Sequence, residues 1–254
     1  VYSMNMELDF KGKAVIITGA ASGMGLCASQ KYAEAGAHVV MCDVNAEGLK
    51  TASEGITPQD GGSVEPYVID MRDYAAVEKL AVHVKEKYGH IDITASFAGG
   101  SAGRVCKEFK PFHELSIDAI NWGVDVNLKA PMYVARAVLP IMLEQKSGVI
   151  INIGSITGVS AAYDAEYSAA KSGLIGFTKS IAIIGAPHGV RCCLVSPGGV
   201  MTRPGMAGFK CPMNRVAEPE EIINVVLFVS SDKASFVTGD NYLVDGGRAC
   251  GAMA

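Results

Sequence analysis

The sequence lacks the excess of positive charge that marks nucleic-acid-binding proteins. Lysine and arginine together number 22 against 26 aspartate and glutamate residues, so the formal net charge is −4. A protein that binds a phosphate backbone needs a basic face that displaces counterions. The charge balance therefore excludes a nucleic-acid partner.

Long apolar runs are also missing. No stretch approaches the roughly 18 consecutive apolar residues that a membrane-spanning helix requires, and the opening VYSMNMELDFKGK lacks the apolar centre of a signal peptide. We expect a cytoplasmic protein with no membrane partner. Because Val1 is not methionine, residues 1–5 are interpreted as an expression tag or a disordered extension, with Met4 or Met6 as the natural start.

Clustered metal ligands are absent from the sequence as well. The seven cysteines form no C-x-x-C pair and are odd in number, which favours reduced thiols. The five histidines are scattered singly, unlike the paired ligands of a zinc site. We expect no metal.

Regular alternation of two kinds of segment dominates what is present. Short runs rich in β-branched residues alternate with longer segments that carry apolar residues at helical spacing, such as 73–89. Runs that are apolar at nearly every position suit parallel strands covered on both faces. The pattern predicts an α/β protein with one doubly wound, Rossmann-type parallel sheet, as a single domain over residues 1–254. The predicted strands are 14–18, 38–42, 64–69, 91–97, 148–153, 190–195 and 241–244.

A glycine-rich segment, TGAASGMG at 18–25, follows the first predicted strand and leads into a helical run. Its glycines let the backbone turn sharply and approach a pyrophosphate, whose negative charge the N–H groups and dipole of the next helix stabilise. A strand-to-helix turn without a ligand is the alternative. The position within a βαβ unit favours a dinucleotide site formed by Gly19, Ser22, Gly23, Met24 and Gly25.

Asp43 closes the second strand, eighteen positions after Gly25. A carboxylate there accepts hydrogen bonds from both hydroxyls of an adenosine ribose and repels the 2′-phosphate of NADP. No lysine or arginine follows in DVNAEG to pair with that phosphate, so NAD is the expected cofactor. Asp70 and Met71 end the third strand at the same rim, where Asp70 either accepts a hydrogen bond from the adenine amino group or is a solvated loop residue.

The stretch EYSAAKSG at 166–173 places Tyr167 and Lys171 four residues apart, and Ser155 follows the strand that precedes it. Residues four apart share a helix face, so the Lys171 ammonium can stabilise a phenolate at Tyr167. A tyrosine and a lysine at this spacing also occur by chance, so the surroundings must decide. Tyr163, one turn earlier, has no cation four residues on and is interpreted as a pocket wall.

Taken together, these segments closely resemble the short-chain dehydrogenase/reductase family from Lys13 to Gly247. Several motifs in the same order carry the resemblance. They are Gly19, Gly23 and Gly25, Ala98 and Gly99, Asn127 in VDVNLKAP, Ser155, Tyr167 and Lys171, SPGGVMT at 196–202, and VTGDNYLVDGG at 237–247.

The resemblance implies roles for individual residues. Tyr167 would be the general acid/base, Ser155 would hydrogen-bond the substrate oxygen, and Lys171 would bind the nicotinamide ribose and lower the tyrosine pKa. Asn127 would hold a proton-relay water. The resemblance also implies cofactor contacts from Ala98, Gly99, Pro197, Gly198, Val200 and Thr202, the last two with the nicotinamide carboxamide.

The chain departs from the family pattern in three places. Ser96 and Phe97 replace two asparagines that usually precede Ala-Gly, which removes a polar tether beside the cofactor. Gly154 replaces a serine found in many members, and Cys193 replaces an asparagine common in the sixth strand. None of these changes affects the serine, tyrosine and lysine set.

The expected activity is NAD-dependent oxidation of a secondary alcohol or reduction of the matching ketone. Segment 201–217 is expected to cover the substrate as a lid, with a disordered surface loop as the alternative, and its apolar side chains favour a hydroxysteroid or similar hydrophobic alcohol. Arg104, Lys107 and Lys110 could instead recognise a carboxylate or an acyl thioester. A polyol substrate is a further alternative.

Two further classes of protein share parts of this pattern. A dinucleotide-binding sensor or scaffold without turnover would keep the fold, but the intact catalytic set argues against it. A nucleotide-sugar epimerase or dehydratase shares the tyrosine and lysine spacing but usually has a different glycine spacing and a longer C-terminal part. Family membership also implies a homo-oligomer, most often a tetramer packed through helices near 118–145 and 166–184.

Overall fold

The structure is a computed structural model that describes residues 8–160, 162–209 and 211–251. Residues 1–5, interpreted above as a tag or extension, lie outside the described residues. Seven strands form one parallel sheet in the order β3-β2-β1-β4-β5-β6-β7. The strands are β1 Ala14–Thr18, β2 His38–Asp43, β3 Ser63–Val68, β4 Ile93–Ser96, β5 Gly148–Ile153, β6 Val190–Pro197 and β7 Asn241–Val244.

Helices cover both faces of the sheet. One apolar core lies between the sheet and α1, α2 and α8, and a second lies between the sheet and α3, α6 and α7. The helices are α1 Gly23–Glu34, α2 Ala46–Glu54, α3 Tyr74–Tyr88, α4 Ala102–Val105, α5 Ile117–Val124, α6 Ala130–Gln145, α7 Ala165–Gly185 and α8 Pro219–Ser230. A π-helical turn, Asp125–Lys129, joins α5 to α6.

The first strand shows why continuous apolar runs form this sheet. Val15 and Ile17 enter one core, whereas Ala14 and Ile16 enter the other, because successive side chains of a strand point to opposite faces. Every residue of β1 is buried. The predicted α/β fold is confirmed, and all seven predicted strands are present.

Strand ends differ by a few residues from the sequence prediction. The fourth strand was predicted over 91–97 but pairs only over Ile93–Ser96, whereas the sixth continues to Pro197. The helix predicted over 73–89 is Tyr74–Tyr88, with Asp73 accepting hydrogen bonds from two first-turn N–H groups and Gly89 ending it at φ 81°. Side-chain capping and a glycine in the left-handed region thus fix both helix ends.

The strand order reverses between β1 and β4, so the chain leaves these two neighbouring strands toward opposite faces of the sheet. Open α/β sheets bind ligands in the crevice that this divergence creates, at the carboxyl ends of the strands. Of the helices in the described part of the chain, none combines the length and the apolar character needed to cross a membrane.

Candidate active site

The turn after β1 can only be built from glycine at its contact points. Gly19 and Gly23 have φ angles of 68° and 57°, in the region that other residues avoid. A β-carbon on Gly25 would lie 2.2 Å from the Gly19 carbonyl oxygen, and one on Gly19 would lie 2.7 Å from the Ala98 nitrogen. The turn is therefore packed backbone to backbone against the loop after β4.

The segment after β6 closes the crevice from the opposite side. A β-carbon on Gly23 would lie 3.4 Å from Cγ2 of Thr202, so these two residues are close neighbours. Val200 is buried and pairs with Ala217, and the Thr202 N–H donates to the Val200 carbonyl at 2.8 Å. Pro197 ends β6, and the Gly198 N–H donates to the Val244 carbonyl at 3.0 Å.

The carboxylate of Asp43 is fixed at the rim of this crevice. One oxygen accepts a hydrogen bond from the Ala21 N–H at 3.0 Å, and the other accepts from the Asn45 N–H at 2.9 Å. Asp43 is half-buried and the next residue, Val44, is 70% exposed. The side chain is thus held against the glycine turn while part of it faces solvent, as ribose binding requires.

The start of α1 also suits an anion. Ser22, the residue before the helix, is exposed and makes no side-chain cap, and the first turn carries no acidic residue. Free N–H groups at a helix start attract negative charge. Together, the glycine contacts, this helix start and the Asp43 carboxylate fit a dinucleotide.

The two residues predicted at the adenine end differ in their surroundings. Both oxygens of Asp70 accept hydrogen bonds from the Arg72 guanidinium, at distances from 2.6 to 3.0 Å, and this pairing lowers the pKa of the Asp70 carboxyl. Met71 packs its side chain into the core and is only 6% exposed. An adenine contact by Asp70 would have to share the carboxylate with Arg72 and stays a prediction.

Tyr167 and Lys171 lie in the first two turns of α7 and face the end of β5. The Lys171 ammonium is 5.6 Å from the centre of the Tyr167 ring and donates a hydrogen bond to the Ile153 carbonyl at 2.7 Å. Burial lowers the Lys171 pKa to about 8. The Ile153 carbonyl accepts one of the three ammonium protons of Lys171, which leaves two for a ribose.

Burial raises the pKa of the Tyr167 phenol, while the neighbouring Ser155 hydroxyl and the positive charge of Arg104 oppose this rise. The phenol is therefore protonated at neutral pH in the protein alone. The lowering of this pKa by Lys171 stays a prediction. Tyr163, by contrast, is fully exposed, so its interpretation as a pocket wall is wrong.

Ser155 has its hydroxyl orientation set by Thr157. The Ser155 oxygen accepts a hydrogen bond from the Thr157 N–H at 3.2 Å and from the Thr157 hydroxyl at 3.0 Å. A hydroxyl has two acceptor lone pairs and one proton. With both lone pairs engaged, Ser155 acts as a donor, to the neighbouring Tyr167 oxygen in the protein alone and to a substrate oxygen when one is bound.

Asn127 lies in the π-helical turn and ties it to the loop after β4. Its amide oxygen accepts from the Gly100 N–H at 2.9 Å, and its nitrogen donates to the carbonyls of Gly100 and Gly123 at 2.9 and 2.8 Å. A β-carbon on Gly99 would lie 2.5 Å from the Asn127 oxygen and 3.7 Å from the Lys171 nitrogen. These residues therefore converge, and the oxygen keeps one lone pair for the predicted water.

The departures from the family pattern have visible consequences. Ser96 is buried, and its hydroxyl has no hydrogen-bond partner within residues 8–160, 162–209 and 211–251. A β-carbon on Gly154 would lie 2.2 Å from the Ser196 hydroxyl oxygen, so Ser196 takes the space that a serine at 154 would need. Cys193 is buried, which raises its pKa to about 11.

Sequence reasoning missed Thr157 and the short helix α4 that carries Arg104. Thr157 could have been found from its position two residues after Ser155, where a hydroxyl side chain commonly bonds locally. Helix α4 packs Ala102 against Gly123 of α5, where a β-carbon on Gly123 would lie 3.5 Å from the Ala102 β-carbon. Four residues without a repeated apolar pattern give no helical signal.

Segment 201–217, predicted to be a lid, leaves and rejoins the fold at one place, because the Met201 N–H donates to the Ala217 carbonyl at 2.8 Å. Arg215 pairs with Glu221 of α8 through two contacts of 2.6 and 2.7 Å. Phe209 lies over Gly199, whose β-carbon would approach it to 2.8 Å. The described part of the segment thus folds back on the end of β6, while its closure over a substrate stays a prediction.

Comparisons with known proteins agree with this geometry. A family model described as short chain dehydrogenase matches residues 13–209. The chain is 34% identical over 253 residues to the 3-oxoacyl-(acyl-carrier-protein) reductase FabG of Thermotoga maritima, covering 94% of this chain and 99% of that protein. It is 28% identical over 249 residues to a 7alpha-hydroxysteroid dehydrogenase of Bacteroides fragilis, covering 94% and 95%. The crystal structure of Levodione Reductase is similar with a TM-score of 0.88 and 28% identity, covering 96% and 100%.

Proposed function

Since the chain belongs to the short-chain dehydrogenase/reductase family of oxidoreductases, which bind a nicotinamide dinucleotide, we propose that it interconverts a secondary alcohol and the matching ketone with NAD(H). One observation carries the proposal. The phenol of Tyr167 lies beside the Ser155 hydroxyl and within 5.6 Å, measured from its ring centre, of the buried Lys171 ammonium. The proton donor Tyr167, the oxygen-binding hydroxyl of Ser155 and the cation of Lys171 are thus close enough to act on one substrate oxygen.

The roles of these side chains follow from their surroundings. The Ser155 proton is donated to the substrate oxygen, whose position is then fixed next to the phenol. Tyr167 gives its proton to a ketone oxygen during reduction and takes the hydroxyl proton during oxidation. Lys171 stabilises the phenolate that remains and donates its free ammonium protons to a ribose. The nicotinamide supplies hydride transfer when bound.

The preference for NAD rests on charge at the end of β2. The Asp43 carboxylate is held in place by the N–H groups of Ala21 and Asn45, so it cannot easily turn away from a phosphate placed beside it. The Asp43 carboxylate and the 2′-phosphate of NADP would repel each other. Residues 43–48 include no lysine or arginine that could pair with the phosphate. This supports NAD over NADP.

The test is a screen of secondary alcohols and ketones with both cofactors, followed by nicotinamide absorbance. We expect kcat/KM to favour NAD, and Asp43→Ala to reduce that preference by weakening NAD binding and removing the repulsion of NADP. A higher kcat/KM with NADP in the unaltered protein would refute the cofactor assignment. Glu47→Ala, which removes an exposed carboxylate from the first turn of α2, is the matched control.

We extend the proposal to the substrate lid, the assembly and the compartment. Apolar residues of segment 201–217, among them half-exposed Phe209 and Met213, support closure over an apolar part of the substrate. A homotetramer is supported by exposed Ile117 on α5 and Ile183 on α7, at 69% and 75%. One catalytic and cofactor-binding domain over 1–254 is supported by the single sheet, and a cytoplasmic location by seven free thiols.

A further inference from the structure

We propose that Arg104 binds a carboxylate of the substrate, so that the enzyme acts on hydroxy acids and oxo acids in preference to uncharged alcohols and ketones. The proposal rests on the oxidoreductase function proposed above and names the substrate class of the same site. It comes from where α4 lies relative to Tyr167.

Arg104 lies over the loop that follows β4. A β-carbon on Gly100 would lie 2.8 Å from the Nη2 atom of Arg104, so the guanidinium occupies space that a side chain at 100 would fill. Gly100 is itself bound through both of its backbone groups by Asn127. The guanidinium thus lies against a rigid part of the site.

The same guanidinium lies beside the catalytic side chains. A β-carbon on Gly99 would lie 3.7 Å from the Lys171 nitrogen, and one on the next residue, Gly100, would meet Arg104. Its positive charge lowers the pKa of the Tyr167 phenol, against the negative charge of Asp164, which raises it. A substrate oxygen that receives the Tyr167 proton therefore lies beside the Gly99 and Gly100 backbone, with Arg104 on the same loop.

Among the residues that the structure describes, no carboxylate pairs with Arg104. Arg72 pairs with Asp70, and Arg215 pairs with Glu221. Arg104, in contrast, has no hydrogen bond or ion pair within the described ranges, which end at 160, 209 and 251, and its side chain is exposed. An exposed arginine is ordinary on a surface. Next to a catalytic tyrosine, it is a free planar cation whose fork matches both oxygens of a carboxylate.

The two lysines of the same loop are placed differently. Lys110 lies 3.8 Å from Glu108, so a carboxylate of the chain already faces it. Lys107 is exposed and lies beyond the end of α4, and it makes no contact with Gly100 of the kind that Arg104 makes. Lys107→Met therefore removes the same charge from the same loop and is the matched control for Arg104→Met.

The experiment compares acids with their own methyl esters, because each pair differs only in the charge. The probes are 2-oxobutanoate, 3-oxobutanoate and 4-oxopentanoate with the three methyl esters, since the distance between the carbonyl and the carboxylate is to be determined. Reduction is followed with NADH for the unaltered protein and for Arg104→Met, Arg104→Lys and Lys107→Met. Isothermal titration of each probe into the same proteins measures binding without turnover.

We expect the unaltered protein to favour the acid of at least one pair. Arg104→Met should raise KM and Kd for that acid about 10- to 100-fold, the value of a hydrogen-bonded ion pair, and leave its ester within about twofold. Arg104→Lys should recover part of the loss, because lysine keeps the charge without the fork. Lys107→Met should change neither member of the pair.

Three results would overturn the assignment. The unaltered protein could bind esters as well as it binds every acid, the preference could survive in Arg104→Met, or that variant could lose acid and ester equally, which would mean that Arg104 acts through Tyr167. Failure of the proposed function looks different. In that case no probe is turned over, while the titrations still report whether Arg104 is needed for acid binding.

Discussion

Replacement of Gly25 by alanine tests whether the turn after β1 is built for a closely packed backbone. The new β-carbon would lie 2.2 Å from the Gly19 carbonyl oxygen and 2.8 Å from its carbon. Carbon and oxygen atoms in contact are normally about 3.3–3.6 Å apart, so the carbonyl must retreat by about 1 Å. Gly19 cannot easily yield, because it packs against the backbone of Ala98.

The size of the effect follows from this conflict. Overpacking of a buried position typically costs about 1–3 kcal/mol. For a chain of this length each kcal/mol lowers Tm by about 2–4 °C, so Gly25→Ala should melt roughly 5–10 °C lower. The displaced N–H groups of the turn should also raise the Kd for NAD at least about tenfold, the value of one hydrogen bond to a charged group.

Circular dichroism melting and calorimetric titration with NAD measure the two effects. Gly55→Ala is the control, since Gly55 has a helical φ of −79° and its β-carbon would meet nothing closer than 3.5 Å. It should leave NAD affinity unchanged and Tm equal or slightly higher. A Gly25→Ala protein with the melting point and NAD affinity of the unaltered chain would refute the reasoning.

Three further predictions concern Lys171, Thr157 and segment 201–217. In the protein without cofactor, one lysine should titrate near pH 8 in ¹³C NMR spectra and vanish in Lys171→Met; because its folded pKa lies below the unfolded value of about 10.4, its contribution to the free energy of unfolding rises with pH between these values. A spectrum with every lysine above pH 9.5 would contradict this. Thr157→Val should lower kcat about 5- to 10-fold through loss of one hydrogen bond to Ser155, with NAD affinity unchanged, whereas an unchanged kcat would mean that Thr157 does not orient the serine. Hydrogen exchange in 201–217 should slow when substrate and cofactor bind, and equal exchange in both states would argue against a lid.

The sheet could be predicted because its determinants are local. The inner strands of the sheet lie in runs that are apolar on both faces, and the two cores divide those residues by simple alternation, as Val15 and Ile16 show. The ends of the strands are harder to predict from the sequence. The fourth strand stops at Ser96, because the backbone must diverge there toward the crevice, and no residue type in IDITASF marks that point.

The site was predictable in its backbone part and less so in its side-chain part. Glycines at 19, 23 and 25 reveal themselves because only glycine tolerates their angles and contacts. The network around the phenol has no such signature. The bond from Thr157 to Ser155 is local, but the position of Arg104 depends on the packing of α4 on α5 and of α5 on α7, which no spacing along the chain encodes.

Asp70 shows a second limit of prediction from the sequence. Its position after β3 is correct for a cofactor contact, yet Arg72, two residues on, binds both carboxylate oxygens. The segment VIDMRD shows that Arg72 is close to Asp70 in the sequence. Whether that arginine would turn toward Asp70 or toward solvent depends on the loop conformation.

The central claim is that Tyr167 transfers the proton, and the replacement of Tyr167 by phenylalanine tests it most directly. The change removes one oxygen, so folding and NAD affinity should persist while proton transfer is lost. Tyr163→Phe removes the same atom from a fully exposed position four residues earlier and should leave turnover unchanged. With a substrate found in the screen, kcat of Tyr167→Phe should fall at least about 100-fold, since general acid/base help is worth about 10²- to 10⁴-fold, with NAD affinity nearly unchanged. Turnover equal to that of the unaltered protein would contradict the account.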